Sequence, residues 1–183
     1  IGAFPIRDRR ELDFFLGYVE DPVIQEYLDG PEYTLDVLCD FAGRPLAVVP
    51  RERVVIRAGV IDRGRTVNDP RLVALGVRTA EALAFAGPIN IQCRMVDGRP
   101  VVFEINPRFS GGIGLTIEAG VDVPAMLLAL AAGETVAPAI GRFEAGLWMT
   151  SYEASMFLRD DPSALRALPD RAAIVAAIRR VLA

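Results

Sequence analysis

Residues 88–106, PINIQCRMVDGRPVVFEIN, hold two runs of alternating side chains around a short DGR connection, and no other stretch constrains the fold as much. Side chains on a strand point to opposite faces in turn. Asn90, Gln92 and Arg94 therefore share one face of the first run, with Ile91, Cys93 and Met95 on the other. In the second run Val102, Glu104 and Asn106 are set against Val101, Phe103 and Ile105. Two such runs around a turn predict an antiparallel hairpin with one apolar side to bury.

The register of that hairpin decides what its polar side can do. A two-residue turn at Asp97-Gly98 would set Gln92 opposite Phe103, on the wrong face. A three-residue connection, or a bulge near Gly98, would set it opposite Glu104. The second arrangement is expected, because it gathers Gln92, Glu104 and Asn106 into one cluster of a carboxylate and two amide oxygens. Hard oxygen ligands of low total charge suit magnesium, which keeps several waters and takes other ligands from substrate phosphates.

The rest of the chain reads as alternating sheet and helix. DRRELDFFLGYV (8–19) places Leu12, Phe15, Leu16 and Val19 at helical spacing behind a capping Asp8. PVIQEYL (22–28) predicts a strand, DGPE (29–32) a turn, and YTLDVLCDF (33–41) a strand alternating through Leu35, Val37 and Cys39. Residues 45–59 continue the meander, with Pro50 implying a bend or an edge position. Residues 68–87 predict a helix with Asp69 as cap, Pro70 in the first turn and Gly87 past its end. Short helices are expected at 114–119 and 123–132, a connector at 135–142, a strand at 144–155 and an amphipathic helix at 170–183. The fold class is thus α+β, a mainly antiparallel sheet with helices packed on one face.

Composition excludes several functions. The 183 residues carry a net charge of -4, which argues against nonspecific nucleic-acid binding. No apolar stretch approaches the roughly 18–20 residues of a membrane span, so no membrane partner is expected. Histidine is absent, which removes imidazole bases and the usual zinc ligand. Lysine is absent too, so all 20 basic residues are arginines. Chemistry must run on carboxylates, arginines, amides and a bound metal or cofactor. Cys39 and Cys93 lie in strand-like apolar runs and read as buried, reduced thiols, consistent with a cytoplasmic setting. The start, IGAFPIRD, has neither a Met nor the basic and apolar regions of a signal peptide, so the chain is expected to be a piece of a longer one.

Three segments taken in order, VIQEYLDGPEYTLDVL, GPINIQCRMVDGRPVVFEINPRFSGG and AGVDVPAMLLALAAGE, resemble the C-terminal half of an ATP-grasp domain of the carbamoyl-phosphate synthase large-subunit type. The likeness runs from about residue 20 to 133. It implies a C-terminal ATP-grasp subdomain over 20–134, a remnant of the N-terminal lobe over 1–19 and a strand-and-helix extension over 135–183. By that resemblance Glu26, Tyr27, Leu28 and Asn90 would contact the nucleotide, the first three along the adenine. Glu32 would take the ribose hydroxyls. Gln92, Glu104 and Asn106 would hold magnesium, or manganese, bridging the ATP phosphates. Arg108 would neutralise charge on the transferred phosphoryl group, and Ser110, Gly111 and Gly112 would line the acceptor side. Arg57 and Arg65 are further candidates for an anionic substrate.

The resemblance further implies a ligase in which a small carboxylate is activated as an acyl phosphate and attacked by an amine or similar nucleophile. The phosphate-binding lysine and glycine-rich loop of the other lobe have no counterpart here, so the chain alone is expected to be inactive. Ser151 also stands where relatives often carry arginine. A noncatalytic nucleotide-binding or regulatory module is the alternative. A homodimer formed through the surface meant for the absent lobe is a further expectation.

Overall fold

The computed structural model describes residues 3–57 and 59–151, which belong to one compact unit. In chain order the elements are α1 (Arg9–Tyr18), β1 (Glu32–Cys39), β2 (Pro45–Arg57), β3 (Val60–Thr66), α2 (Pro70–Leu83), β4 (Gly87–Val96), β5 (Arg99–Asn106), α3 (Ile113–Glu118), α4 (Val123–Ala131) and β6 (Trp148–Thr150). The strands form one sheet in the order β5-β4-β1-β2-β3-β6, antiparallel at every pairing. The α+β class and the mainly antiparallel sheet are as expected.

Alternation along β1 sorts the whole sheet. Leu35, Val37 and Cys39 point to the face covered by α2, where they pack with Val48, Ile89, Ile91, Cys93, Leu72 and Ala80. Leu38 points the other way and packs with Ala47, Val49, Val121 and Val123 against the α3–α4 region. The helices, expected on one face, therefore occupy both. Only the end of the second face is apolar. Further along it runs through Asp36, Thr34 and Glu32, and the paired strands continue it through Arg51, Asn90, Gln92 and Arg94.

The expected helix at 68–87 forms as α2, with the Asp69 carboxylate accepting from the Arg71 amide and Pro70 at its start. It stops at Ala84 in the left-handed region rather than at Gly87, which opens β4 instead. The first helix also forms behind Asp8, yet buries no residue. Its aromatic side chains gather with Phe4, whose ring lies 4.3 Å from that of Phe15.

The structure departs from the sequence pattern at several places. Residues 22–28 form no strand; Val23, Ile24 and Tyr27 lie largely exposed, so their apolar run has no sheet partner among the described residues. Residues 60–66, read within no element, form β3, because β2 is long enough to template them despite Asp62, Arg63, Gly64 and Arg65. Pro50 lies inside central β2, not at an edge. Its carbonyl accepts from the Val67 amide, so its missing N–H falls on that same side, past the end of β3, and the ladder to β1 loses nothing. Of the expected strand at 144–155 only β6 forms among the described residues, and the expected helix at 170–183 lies outside them.

The hairpin register comes out as expected by a different device. Gln92 pairs with Glu104 and Asn90 with Asn106, while Cys93 pairs with Val102. The turn is the tight two-residue one, with Asp97 and Gly98 both at positive φ, the geometry of a type I′ hairpin. The extra residue is Phe103, so the bulge lies within β5 and not near Gly98. It also moves Val102 away from Glu104, to join Ile105 against the α2 core.

Candidate functional site

The polar face begins at the hairpin. Asn106 donates from Nδ2 to Glu104 Oε1 at 2.6 Å, and its own Oδ1 accepts from Arg108 Nη2 at 3.4 Å. Arg108 also donates to the Phe109 carbonyl at 2.9 Å, which folds its side chain back over the strand end. Gln92 donates to Asn90 Oδ1 at 3.5 Å, and buried Asn90 donates to Asp36 at 3.5 Å. The residues expected from β4 and β5 thus lie side by side on one face through the ladder, with side-chain hydrogen bonds inside each set.

The nucleotide candidates from the N-terminal side are placed differently. Glu26 and Tyr27 lie exposed on the irregular segment, whereas Leu28 is tied in by its carbonyl, which accepts from Arg94 at 3.3 Å. Glu32 opens β1 and takes two guanidiniums: Arg53 on one carboxylate oxygen and Arg94 on the other at 2.8 Å. Arg53 reaches on to Gln92 Oε1 at 2.7 Å and to the Gly59 carbonyl at 2.7 Å. One guanidinium therefore joins the expected ribose contact to the expected metal ligand.

Beneath these lies a buried network absent from the sequence reading. Arg51 donates to Asp36 through Nε at 2.8 Å and Nη2 at 3.1 Å, a bidentate pair with only 1% and 3% of the two side chains exposed. Thr116 donates its hydroxyl proton to the same carboxylate, and Arg51 Nη2 donates to Ser110 Oγ at 2.7 Å. The pair thereby fixes α3 and the loop at 110–112 to the sheet. The signal was present in TLDVL, where Asp36 interrupts an apolar strand on the face of Thr34, and in PRER, where Arg51 and Arg53 stand two apart. Arg57 and Arg65, singled out instead, pair with Asp62 at 3.5 Å and with Glu52 at 2.7 Å.

A cavity of about 150 Å³ opens between the β2–β3 hairpin and the loop after β5. Thr34, Asn90 and Gln92 lie on its sheet side, with Arg51, Arg53 and Arg108 around it. Ser110, Gly111 and Gly112, the expected acceptor side, form its opposite edge. Among the described residues no carboxylate lines it.

Among the described residues no group of three or more His, Cys, Asp or Glu stands ready to hold a metal. The expected set offers one carboxylate and two amides, which fits an ion that brings most of its shell as water and phosphate oxygens. Asn106 would turn its oxygen inward, and Gln92 would share or release Arg53. Neither cysteine belongs to the site: burial, and secondarily Asp40, raises Cys39 to about 11, and burial with Glu32 raises Cys93 to about 12. Both thiols stay protonated and inert at neutral pH, as read from the sequence.

The comparisons with known proteins agree with this architecture. The structure resembles the biotin carboxylase domain of a thermophilic 2-oxoglutarate carboxylase bound to bicarbonate, with TM-score 0.56 and 16% identity over 67% of this chain and 30% of that one. It also resembles Campylobacter jejuni biotin carboxylase in a β-γ-ATP complex, with TM-score 0.54 and 14% identity over 68% of this chain and 30% of that one. A Rhizobium etli pyruvate carboxylase crystallised without acetyl coenzyme A gives TM-score 0.58 and 16% identity over 70% of this chain and 15% of that one. This chain therefore spans less than a third of each, and at such identities the likeness is one of fold. No curated protein matches. Among the described residues no helix is long and apolar enough to cross a membrane. A family profile described as ATP-grasp in the biosynthetic pathway with Ter operon matches residues 19–154, and the chain belongs to that ATP-grasp family.

Proposed function

We propose that this chain carries the C-terminal half of the ATP-grasp domain of an ATP- and magnesium-dependent ligase that activates a small carboxylate as an acyl phosphate. The observation that carries the reading is the convergence of Gln92, Glu104 and Asn106 on one sheet face, with Arg108 bonded to Asn106 at its end. Gln92, Glu104 and Asn106 would hold magnesium, or manganese in its place, and the ion would neutralise phosphate charge when bound. Glu26, Tyr27, Leu28 and Asn90 are assigned to the nucleotide and Glu32 to its ribose. Glu32 supports this less directly, since two arginines already share its carboxylate.

In the proposed reaction a substrate carboxylate oxygen attacks the terminal phosphorus of ATP, and the bond to the leaving ADP oxygen breaks. An amine or similar nucleophile then attacks the acyl carbon, loses a proton, and expels phosphate. Phosphoryl transfer of this kind is governed by positioning and charge neutralisation, which arginines and amides can supply without histidine. Arg108 is the assigned neutralising group.

Residues 20–134 would form the C-terminal subdomain and 1–19 the edge of a second lobe supplied by the rest of a longer, cytoplasmic chain. The exposed Phe14, Tyr18, Val23, Ile24 and Tyr27 support a covering partner on that side. The lobe would bring the phosphate-binding lysine and glycine-rich loop. A second copy on that surface would appear as a dimer in gel filtration.

The hold of Arg53 on both Glu32 and Gln92 favours a second reading, a nucleotide-binding or regulatory module without turnover. Trapping with hydroxylamine separates the two. The full-length protein, given ATP, magnesium and its carboxylate, should yield a hydroxamate with ADP, and Arg108→Ala should lower that rate about 10²–10³-fold. Nucleotide binding without any hydroxamate or ADP would leave the module reading.

A further inference from the structure

We propose that Arg94 is a positioning residue of the nucleotide site: it locks the segment at 28–32 and the Glu32 carboxylate into one preset arrangement, which makes binding selective for both ribose hydroxyls. The inference deepens the nucleotide assignment made above and rests on it.

The segment that carries Glu26, Tyr27 and Leu28 has little of its own to hold it. Residues 22–28 belong to no helix or strand, and Val23, Ile24 and Tyr27 are largely exposed. Its attachment to the sheet begins where it meets β4. The Leu28 carbonyl accepts from Arg94 Nη1 at 3.3 Å, and the Pro31 carbonyl accepts from the Met95 amide at 3.0 Å. Between them Gly30 sits at φ 144°, where a Cβ would lie 2.1 Å from the Met95 carbonyl oxygen. The backbone passes too close to β4 there for any side chain. Of these ties, the one to Arg94 reaches a residue assigned to the base.

Arg94 also reaches Glu32. The two residues stand directly opposite in the β1–β4 ladder, and Arg94 Nη2 donates to Glu32 Oε2 at 2.8 Å. Arg53 Nη1 holds the other oxygen, Oε1. The Glu32 side chain is 12% exposed and that of Arg53 6%, so water competes little for these bonds. With a guanidinium on each oxygen, the carboxylate plane is fixed before any ligand arrives. A carboxylate offers about four lone-pair sites, so each oxygen keeps room for one further donor. Two such acceptors held side by side match the two vicinal hydroxyls of a ribose. The paired arginines thus leave Glu32 able to take the ribose and set the direction in which it does so.

The bridge gives Arg94 its effect. A guanidinium is planar and its donors point in fixed directions, so one rigid group sets the offset between the Leu28 carbonyl and the Glu32 carboxylate. A base lodged along residues 26–28 then presents its ribose to Glu32 at that offset, with little ordering left to be lost on binding. An ammonium at the same place would keep the charge and lack the planar fork that spans the two acceptors.

The test is isothermal titration of the whole chain with ADP and, separately, 2′-deoxy-ADP, each in excess magnesium. The wild-type chain should bind ADP about tenfold more tightly than the deoxy form, the effect of one hydrogen bond to a charged group. Arg94→Met and Arg94→Lys should each remove most of that preference, chiefly by weakening ADP. A merely structural role would weaken both nucleotides alike and leave their ratio unchanged. Circular dichroism and the melting temperature check the fold of Arg94→Met, and Arg94→Lys, which keeps the charge, keeps the test decisive if that variant unfolds. Binding of ADP with no preference over the deoxy form, or with a preference unchanged in Arg94→Lys, overturns the proposal and leaves the ligase reading standing. No binding of either nucleotide to the wild-type chain overturns both.

Discussion

Gln92 stands opposite Glu104 even though the two-residue turn at Asp97-Gly98 counts Gln92 to Phe103. The single extra residue in β5 brings the second strand's polar side chains to the face of the first. Without it Glu104 would sit out of register with Gln92. A cross-link tests the pairing: residues directly opposite in an antiparallel ladder have Cα atoms about 4.5–5.5 Å apart, within disulfide reach. Gln92→Cys with Glu104→Cys should close on oxidation, read by mass spectrometry, while Gln92→Cys with Val101→Cys should stay open because Val101 pairs with Arg94.

Asp36 and Arg51 form the buried pair that ties α3 to the sheet. Removing one partner of such a pair leaves an uncompensated charge in the interior, which costs about 3–5 kcal/mol. Asp36→Ala strands Arg51 and also deprives Thr116 and Asn90 of their acceptor. Urea unfolding should show a loss of about that size. A change under about 1 kcal/mol would mean that the network contributes little to folding.

The parts of this structure legible in the sequence are those that depend on local pattern. Asp69-Pro70 announced α2, and alternation in NIQCR and VVFEIN announced the hairpin and its polar side. What was missed depends on partners distant in sequence. VIDRGRT has little strand character of its own and becomes β3 because β2 pairs with it. Residues 22–28 look like a strand but find no ladder among the described residues. The Asp36–Arg51 pair spans 15 residues, so neither side chain alone reveals that the other neutralises it. Of the site, the polar face was legible and its arginine framework was not.

On the proposed reading, Arg53 and a metal ion would compete for Gln92. The guanidinium donates to Gln92 Oε1 at 2.7 Å, and a like charge a few ångströms from a cation costs on the order of 1–4 kcal/mol in partly buried surroundings. Arg53→Gln should therefore lower the magnesium needed for half-maximal nucleotide-dependent stabilisation by roughly tenfold, read by titrating magnesium in thermal-shift experiments. An unchanged midpoint would place the metal away from Gln92.

The cysteines give a pH-resolved check. Burial raises Cys39 to about 11 and Cys93 to about 12, so little thiolate exists in the folded chain near neutrality. Iodoacetamide should leave both unmodified at pH 8 and label both once urea unfolds the chain, where thiol pKa values return to about 8.5. Rapid labelling of the folded chain at pH 8 would show that one of these strands opens readily.

The measurement closest to the central claim is the melting temperature with magnesium and ADP together, with each alone, and again in Asn106→Ala. A ligand bound only to the folded state stabilises it by about RT ln(1 + [L]/Kd), roughly 2.7 kcal/mol at a hundredfold excess. The account predicts a rise that requires both metal and nucleotide and disappears in Asn106→Ala. An equal rise in Asn106→Ala, or none with any combination, would contradict a metal–nucleotide site on the polar face of β4 and β5.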